Sequence, residues 1–146
     1  MPRLPIARAR LRGAQEECTL QGLRAPLVLS LPMDRGAIAD ALSSLDSLRG
    51  TAGLATADDH MGIAVLGAMA DLGWSAPLDL AVVGADNFAE GEFVVPPLTS
   101  VYLPLTNLRT VAADWLNKVL AGTGPTTDHA LLSEDVTAEC VVRKSS

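Results

Sequence analysis

Two hydrophobic periods alternate along this chain. Some stretches place apolar residues at helical spacing, and others gather them into short unbroken runs. Over positions 6–20, Leu11, Ala14, Cys18 and Leu20 fall near one helical face, and Gly22 closes the helix. Positions 25–31 (APLVLSL) form an apolar run bounded by prolines and read as a strand. Asp34 caps a second helix, whose stripe is Ile38, Leu42, Leu45 and Leu48. Positions 51–57 (TAGLATA) read as a buried strand. A helix capped by Asp58 or Asp59 follows, with Met61, Val65, Ala68, Met69 and Leu72 on one face and Gly73 at its end.

Positions 80–85 (LAVVGA) form another buried strand, so the middle of the chain is strand, helix, strand with short links. That is a βαβ unit, and its strands should run parallel. The segment 87–97 contains Pro96 and Pro97 side by side, which forbids a helix there. Positions 99–103 (TSVYL) read as a strand. Thr106 caps a long helix with the stripe Leu108, Val111, Trp115 and Val119, stopped by Gly122. Two β-leaning pieces, 129–132 and 138–143, complete the tail. The alternation predicts an α/β layered fold around a parallel sheet, with helices on both faces.

Parallel sheets bind ligands beyond the carboxyl ends of their strands. Two strands here run into acids: Ala57 precedes Asp58 and Asp59, and Ala85 precedes Asp86 and Asn87. Asp58 and Asp86 should therefore share one sheet edge, where carboxylates can accept bonds from a polyol. A plainer role stands beside each, an N-cap for Asp58 or Asp59 and a turn for Asp86. Phe88 and Tyr102 flank the same edge and are candidates either for core packing or for stacking on a ring.

Composition narrows the choice. Hydrophobic residues make up 49% of the chain and aromatic ones 3%, so the core is built of Ala, Val and Leu. With 146 residues, the chain is long enough for one domain. Its net charge of −6 and pI of about 4.7 disfavour a nucleic-acid surface. Arg3, Arg8, Arg10 and Arg12 crowd the start, as a basic arm or as solvated positions of a helix. Cys18 and Cys140 make no disulfide framework, which suits a reduced, cytoplasmic interior. Neither a secretory signal nor a membrane-spanning run is seen. His60 and His129 stand apart and no Cys pair has ligand spacing, so no metal or cofactor is expected. No nucleophile elbow, phosphate loop or dinucleotide fingerprint occurs, and the chain does not read as an enzyme.

Several segments go beyond generic pattern. The run Ala57-Asp58-Asp59-His60-Met61-Gly62 resembles the A-N-D-x-M-A signature of the lac repressor (LacI/GalR) family. The run from Leu80 to Asn87 resembles its I-S-V-V-G-Y-D-D strand and turn, and the run from Pro96 to Val101 resembles its P-P-L-T-T-V segment. Arg10-Leu11-Arg12-Gly13 is similar to its R-L-x-G helix start. The close, Leu131-Leu132 and then Val141-Val142-Arg143-Lys144-Ser145, is similar to its L-L-P…V-x-R-x-S. The order and separations agree along essentially the whole chain.

The resemblance implies a lobe of a two-lobed, periplasmic-binding-protein-like domain. Residues 1–146 would form a partial effector-binding domain, mostly the second lobe. The helix within 104–122 would cross toward the first lobe, and the DNA-binding domain would lie outside the chain. It implies ligand contacts from Arg10, Asp58 and Asp86, and a homodimer interface at Ile63, Phe93 and Val94. Asp58 stands where the family usually has Asn, which removes two donors and adds a charge. Asn87 replaces an Asp, and Leu103 stands where many members carry Gln. The function implied is sensing of a sugar-like or nucleobase-like effector in a transcription regulator, with operator DNA reached only through a helix-turn-helix. The alternatives are a solute-binding protein of a sugar transporter, or a remnant that only dimerises.

Overall fold

The structure, a computed structural model, describes residues 5–102, 106–123 and 137–146, and the side chains at 106–109 and 111 are outside that description. The elements run α1 (Pro5–Leu20), α2 (Arg35–Ser43), β1 (Gly53–Ala55), α3 (Asp59–Asp71), β2 (Ala81–Ala85), β3 (Thr99–Tyr102), α4 (Thr106–Leu120) and β4 (Glu139–Val141). Short 3-10 turns stand at Asp46–Leu48 and Ala89–Glu92.

The strands form one sheet in the order β1-β2-β3-β4. β1 pairs parallel to β2, with Leu54 opposite Val82, and β2 pairs parallel to β3, with Gly84 opposite Ser100. β4 closes the far edge antiparallel, with Val101 opposite Cys140. The β1-α3-β2 unit is therefore the βαβ crossover that the apolar pattern predicts, and the fold is the expected α/β lobe dominated by a parallel sheet.

α3 packs on the sheet, chiefly along β2, and α2 packs on α3. Their shared core is Ile38, Leu42, Val65, Leu66, Ala68, Met69, Leu80, Val82 and Leu98. The expected α3 face is the one that turns inward: Val65, Ala68 and Met69 are buried, and Met61 and Leu72 pack partly against the same cluster. At its end Gly73 takes φ +70, the left-handed conformation that closes a helix without a Cβ penalty. An ion pair fastens α2 to α3 from outside, where the Arg35 fork holds both carboxylate oxygens of Asp71 and the Gly67 carbonyl.

The C-terminal tail is part of the sheet's foundation. Ser145 is fully buried; its hydroxyl donates to the Val82 carbonyl at 2.6 Å and accepts from the Thr99 amide at 2.8 Å. The Val82 amide donates back to the Ser145 carbonyl at 2.7 Å.

Several local expectations are corrected. Residues 25–31 form no strand: Leu27, Val28 and Leu29 are exposed, and among the described residues no strand pairs with them. Only Gly53–Ala55 of the run 51–57 is strand, and it is half-exposed rather than buried, since among the described residues β2 alone pairs with it. α2 stops at Ser43, so Leu45 and Leu48 leave its stripe, and Leu48 is exposed beside the 3-10 turn. α1 buries none of its side chains, although Leu11 and Cys18 are half-covered. On α4, Trp115 and Val119 are exposed instead of forming a buried stripe. Leu103 and the piece 129–132 lie outside the described residues.

Candidate functional site

Because β1 and β2 are parallel neighbours, their carboxyl ends meet at one edge, and the segments that follow them carry Asp58 and Asp86. α1 reaches this edge through Arg10. The Arg10 guanidinium donates from Nη1 to the Ala57 carbonyl and from Nη2 to Asp86 Oδ1. One planar fork thus bridges the ends of two adjacent strands. A guanidinium suits this task because its donors are fixed in a plane and it stays charged. Both partners are partly open to solvent, with side-chain exposures of 26% for Arg10 and 31% for Asp86.

Asp58 is half-buried next to Ala57. It caps α3 from an extended conformation, with Oδ1 accepting from the Met61 amide at 2.9 Å. The capping role of Asp58 and its place at the site are therefore compatible: one oxygen serves the helix, at the edge where Arg10 docks. The Thr56 hydroxyl supports the same corner, with the Asp58 and Val83 carbonyls at 2.8 and 3.2 Å.

The turn after β2 is unusual. Asp86 has φ 99 and Asn87 has φ 54, both in the region that L side chains avoid. Its backbone is held on several sides. The Asp86 amide donates to the Val101 carbonyl at 2.9 Å, the Asn87 amide to the Ser100 hydroxyl at 3.0 Å, and the Phe88 amide to Asp59 Oδ2 at 2.6 Å. Arg143 grips the outer side, donating to Asn87 Oδ1 at 2.8 Å, the Leu98 carbonyl at 2.7 Å and Glu92 Oε1 at 3.0 Å.

Beyond the turn, the rings of Phe88 and His60 lie 4.7 Å apart at a tilt of 49°. Both are exposed, and each stands two residues past one of the site's acids. The arrangement offers one guanidinium, two carboxylates and an aromatic pair, a set suited to hydroxyl-bearing ligands. Among the described residues no group of three or more His, Cys, Asp and Glu side chains is placed to hold a metal ion. Asp79, just before β2, is held below the usual aspartate value by the Ser75 amide and by Arg49. Arg49 is raised in turn by Asp79, and Arg35 is raised by Asp71.

Of the residues singled out in the sequence, Arg10 and Asp86 are brought into contact and Asp58 adjoins them. Ile63 and Val94 are half-buried against the core, while Phe93 is 82% exposed beside Val95 at 90%. Phe88 is also at the edge, whereas Tyr102 is half-buried on β3. The sequence reading missed Asp59, Ser100 and Arg143 as organisers of the site. Ser100 and Arg143 stand within recognised segments, but nothing local marks them as partners of the 86–88 turn, because their partners lie far along the chain.

The sequence matches the periplasmic binding protein-like domain over residues 2–146, and the chain belongs to that family. Within it, the chain is similar to transcription regulators of the LacI type. It is 38% identical over 58 residues to the transcriptional repressor PurR of Glaesserella parasuis, covering 40% of this chain and 17% of that protein. It is 33% identical over 69 residues to the lactose operon repressor of Rhizobium radiobacter, covering 47% and 61%. Among solved structures, a LacI family regulator from Mycobacterium smegmatis matches at 28% identity and TM-score 0.72, covering 95% of this chain and 52% of that one. The regulator CelR, in complex with cellobiose, matches at 26% identity and TM-score 0.73, covering 94% and 42%. The chain thus spans about half the length of these structures, and the shared segments are less than two thirds of the curated relatives. The relatives are transcription regulators, not enzymes.

Proposed function

We propose that this chain is the sensing lobe of a cytoplasmic LacI-type transcription regulator and performs no catalysis. It binds a small hydroxyl-bearing effector, sugar-like or nucleobase-like, at Arg10, Asp58 and Asp86. The observation that carries this reading is the Arg10 fork joining Ala57 and Asp86 at the carboxyl edge of parallel strands. Half-exposed charged groups there are positioned to exchange bonds with a ligand's hydroxyls. Ile63, Phe93 and Val94 form the homodimer contact, and the exposed Phe93 and Val95 support it. Operator DNA is engaged only through a helix-turn-helix outside this chain, in keeping with the acidic net charge of −6. The α4 helix leads toward the first lobe. Effector binding then biases the regulator between DNA-competent and incompetent poses, a coupling of two sites through one shape equilibrium.

The test is a thermal-shift and titration screen of the chain against cellobiose, lactose, maltose, purine bases and inorganic phosphate, with Asp86→Ala as control. A ligand at 100 times its Kd should stabilise the fold by about 2.7 kcal/mol. A shift with one ligand that vanishes in Asp86→Ala supports the reading and names the effector class. A folded chain that responds to none of them would set the effector reading aside in favour of a dimerisation module.

A further inference from the structure

Asp59 is 0% exposed, yet α3 does not need it as a cap, because Asp58 already fills that position. Its oxygens are instead directed across the sheet. Oδ2 accepts from the Phe88 amide at 2.6 Å and Oδ1 from the Ser100 hydroxyl at 2.6 Å. The Ser100 hydroxyl accepts in turn from the Asn87 amide at 3.0 Å. One buried carboxylate therefore fixes both amides that follow Asp86, one directly and one through a single hydroxyl. Those are the amides of a turn whose φ values, 99 and 54, are held only by their surroundings. Gly84 provides the seat: a Cβ there would stand 2.1 Å from Asp59 Oδ1, so any side chain at 84 displaces the carboxylate.

We infer that Asp59 is a positioning residue for the candidate effector site: through Ser100 and the Phe88 amide it sets the turn that presents the Asp86 carboxylate to Arg10. The inference rests on the effector reading only for its ligand consequences; the presentation of Asp86 is a property of the free chain. An amide at 59 offers one acceptor where the carboxylate offers two: either the Phe88 amide loses its acceptor, or the Ser100 hydroxyl must turn away and receive a bond from the NH₂ instead of donating one, and the charge that strengthens both bonds is lost.

The experiment compares Asp59→Asn, Ser100→Ala and Gly84→Ala with the parent, full length, by nuclear magnetic resonance. Amide exchange is followed at Asn87 and Phe88, and the guanidinium Nε–H signal at Arg10, with Asp86→Ala as the reference for an unpaired Arg10. In Asp59→Asn and Gly84→Ala, exchange at Asn87 and Phe88 should accelerate about tenfold relative to Leu42 and Met69, and the Arg10 signal should move toward its Asp86→Ala position. In Ser100→Ala the acceleration should centre on Asn87. If Asp59→Asn does not fold, Ser100→Ala decides alone, because it leaves the carboxylate and its bond to the Phe88 amide in place and cuts the link from Asp59 to Asn87. Exchange that rises evenly through the core with Arg10 unmoved would overturn the inference, since that is what simple loss of stability produces. Cellobiose, lactose and maltose are titrated in parallel: a sugar that binds the parent should bind Asp59→Asn about tenfold more weakly, and equal affinity would count against positioning. Failure of all three to bind the parent would bear on the effector reading, while the Arg10 signal still decides the role of Asp59.

Discussion

Arg10 and Asp86, 76 residues apart in the chain, are joined by an ion pair that ties α1 to the end of β2. α1 buries no side chain fully, and Arg10 is a tether between it and the lobe. Arg10→Ala should therefore raise amide exchange along α1 while the melting temperature changes little. A partly exposed pair contributes at most about 1 kcal/mol, and less at high salt. Unchanged exchange in α1 would show that the helix is held by something else.

Asp58 serves a helix and a site at once, and the two roles can be separated. Asp58→Ala removes the cap and should cost about 1 kcal/mol in urea unfolding. Asp58→Asn keeps a good cap, so stability should stay close to the parent's while the charge at the edge is lost. Any change in effector preference in that variant would then belong to the exchange of the carboxylate's charge for two N–H donors, and not to a lost cap.

Leu98 is fully buried where the segment before β3 passes under α3, and its side chain fills the space that glycines at 62, 84 and 91 leave open. Leu98→Ala should cost about 2–5 kcal/mol, with the midpoint of denaturant unfolding lowered and the slope unchanged. A smaller loss would mean that the surrounding glycine backbone closes over the cavity.

The Asp79 carboxyl titrates below the ordinary value of 3.8, first because the Ser75 amide donates to it and then because Arg49 does. A depressed folded-state value means that the folded form is favoured once Asp79 is ionised. This contribution is complete above pH 3.8 and is lost as pH falls through the lower folded value. Asp79→Asn should flatten the fall in melting temperature below about pH 4, measured over an acid series. Equal acid slopes in variant and parent would refute it.

The sheet and its central crossover were legible because α3 and β2 carry unbroken patterns: Val65, Ala68 and Met69 repeat at helical spacing, and a parallel interior strand reads as a run of apolar residues. Parallel pairing alone was enough to bring Asp58 and Asp86 to one edge. What the pattern could not carry was partner supply. The run 25–31 has the composition of a strand, but strands need a neighbour, and among the described residues Leu27 has none and is 67% exposed. Trp115 and Val119 have helical spacing but no surface to cover them among the described residues. Asp59, Ser100 and Arg143 escaped notice for a different reason. Their hydrogen bonds close over 29, 13 and 56 residues, and no local spacing encodes such loops.

The left-handed backbone at Asp86 and Asn87 also restricts what substitution can do there. At φ 99 and 54, few side chains other than Gly, Asn and Asp stand without a conformational penalty. The alphabet at these two positions is therefore short, whatever ligand is to be recognised. Asp58 and His60 sit on ordinary extended and helical backbone, where almost any residue is sterically admissible. A lobe built this way can retune its chemistry by exchanging residues along the start of α3, while the turn opposite stays fixed as the frame against which those exchanges are read.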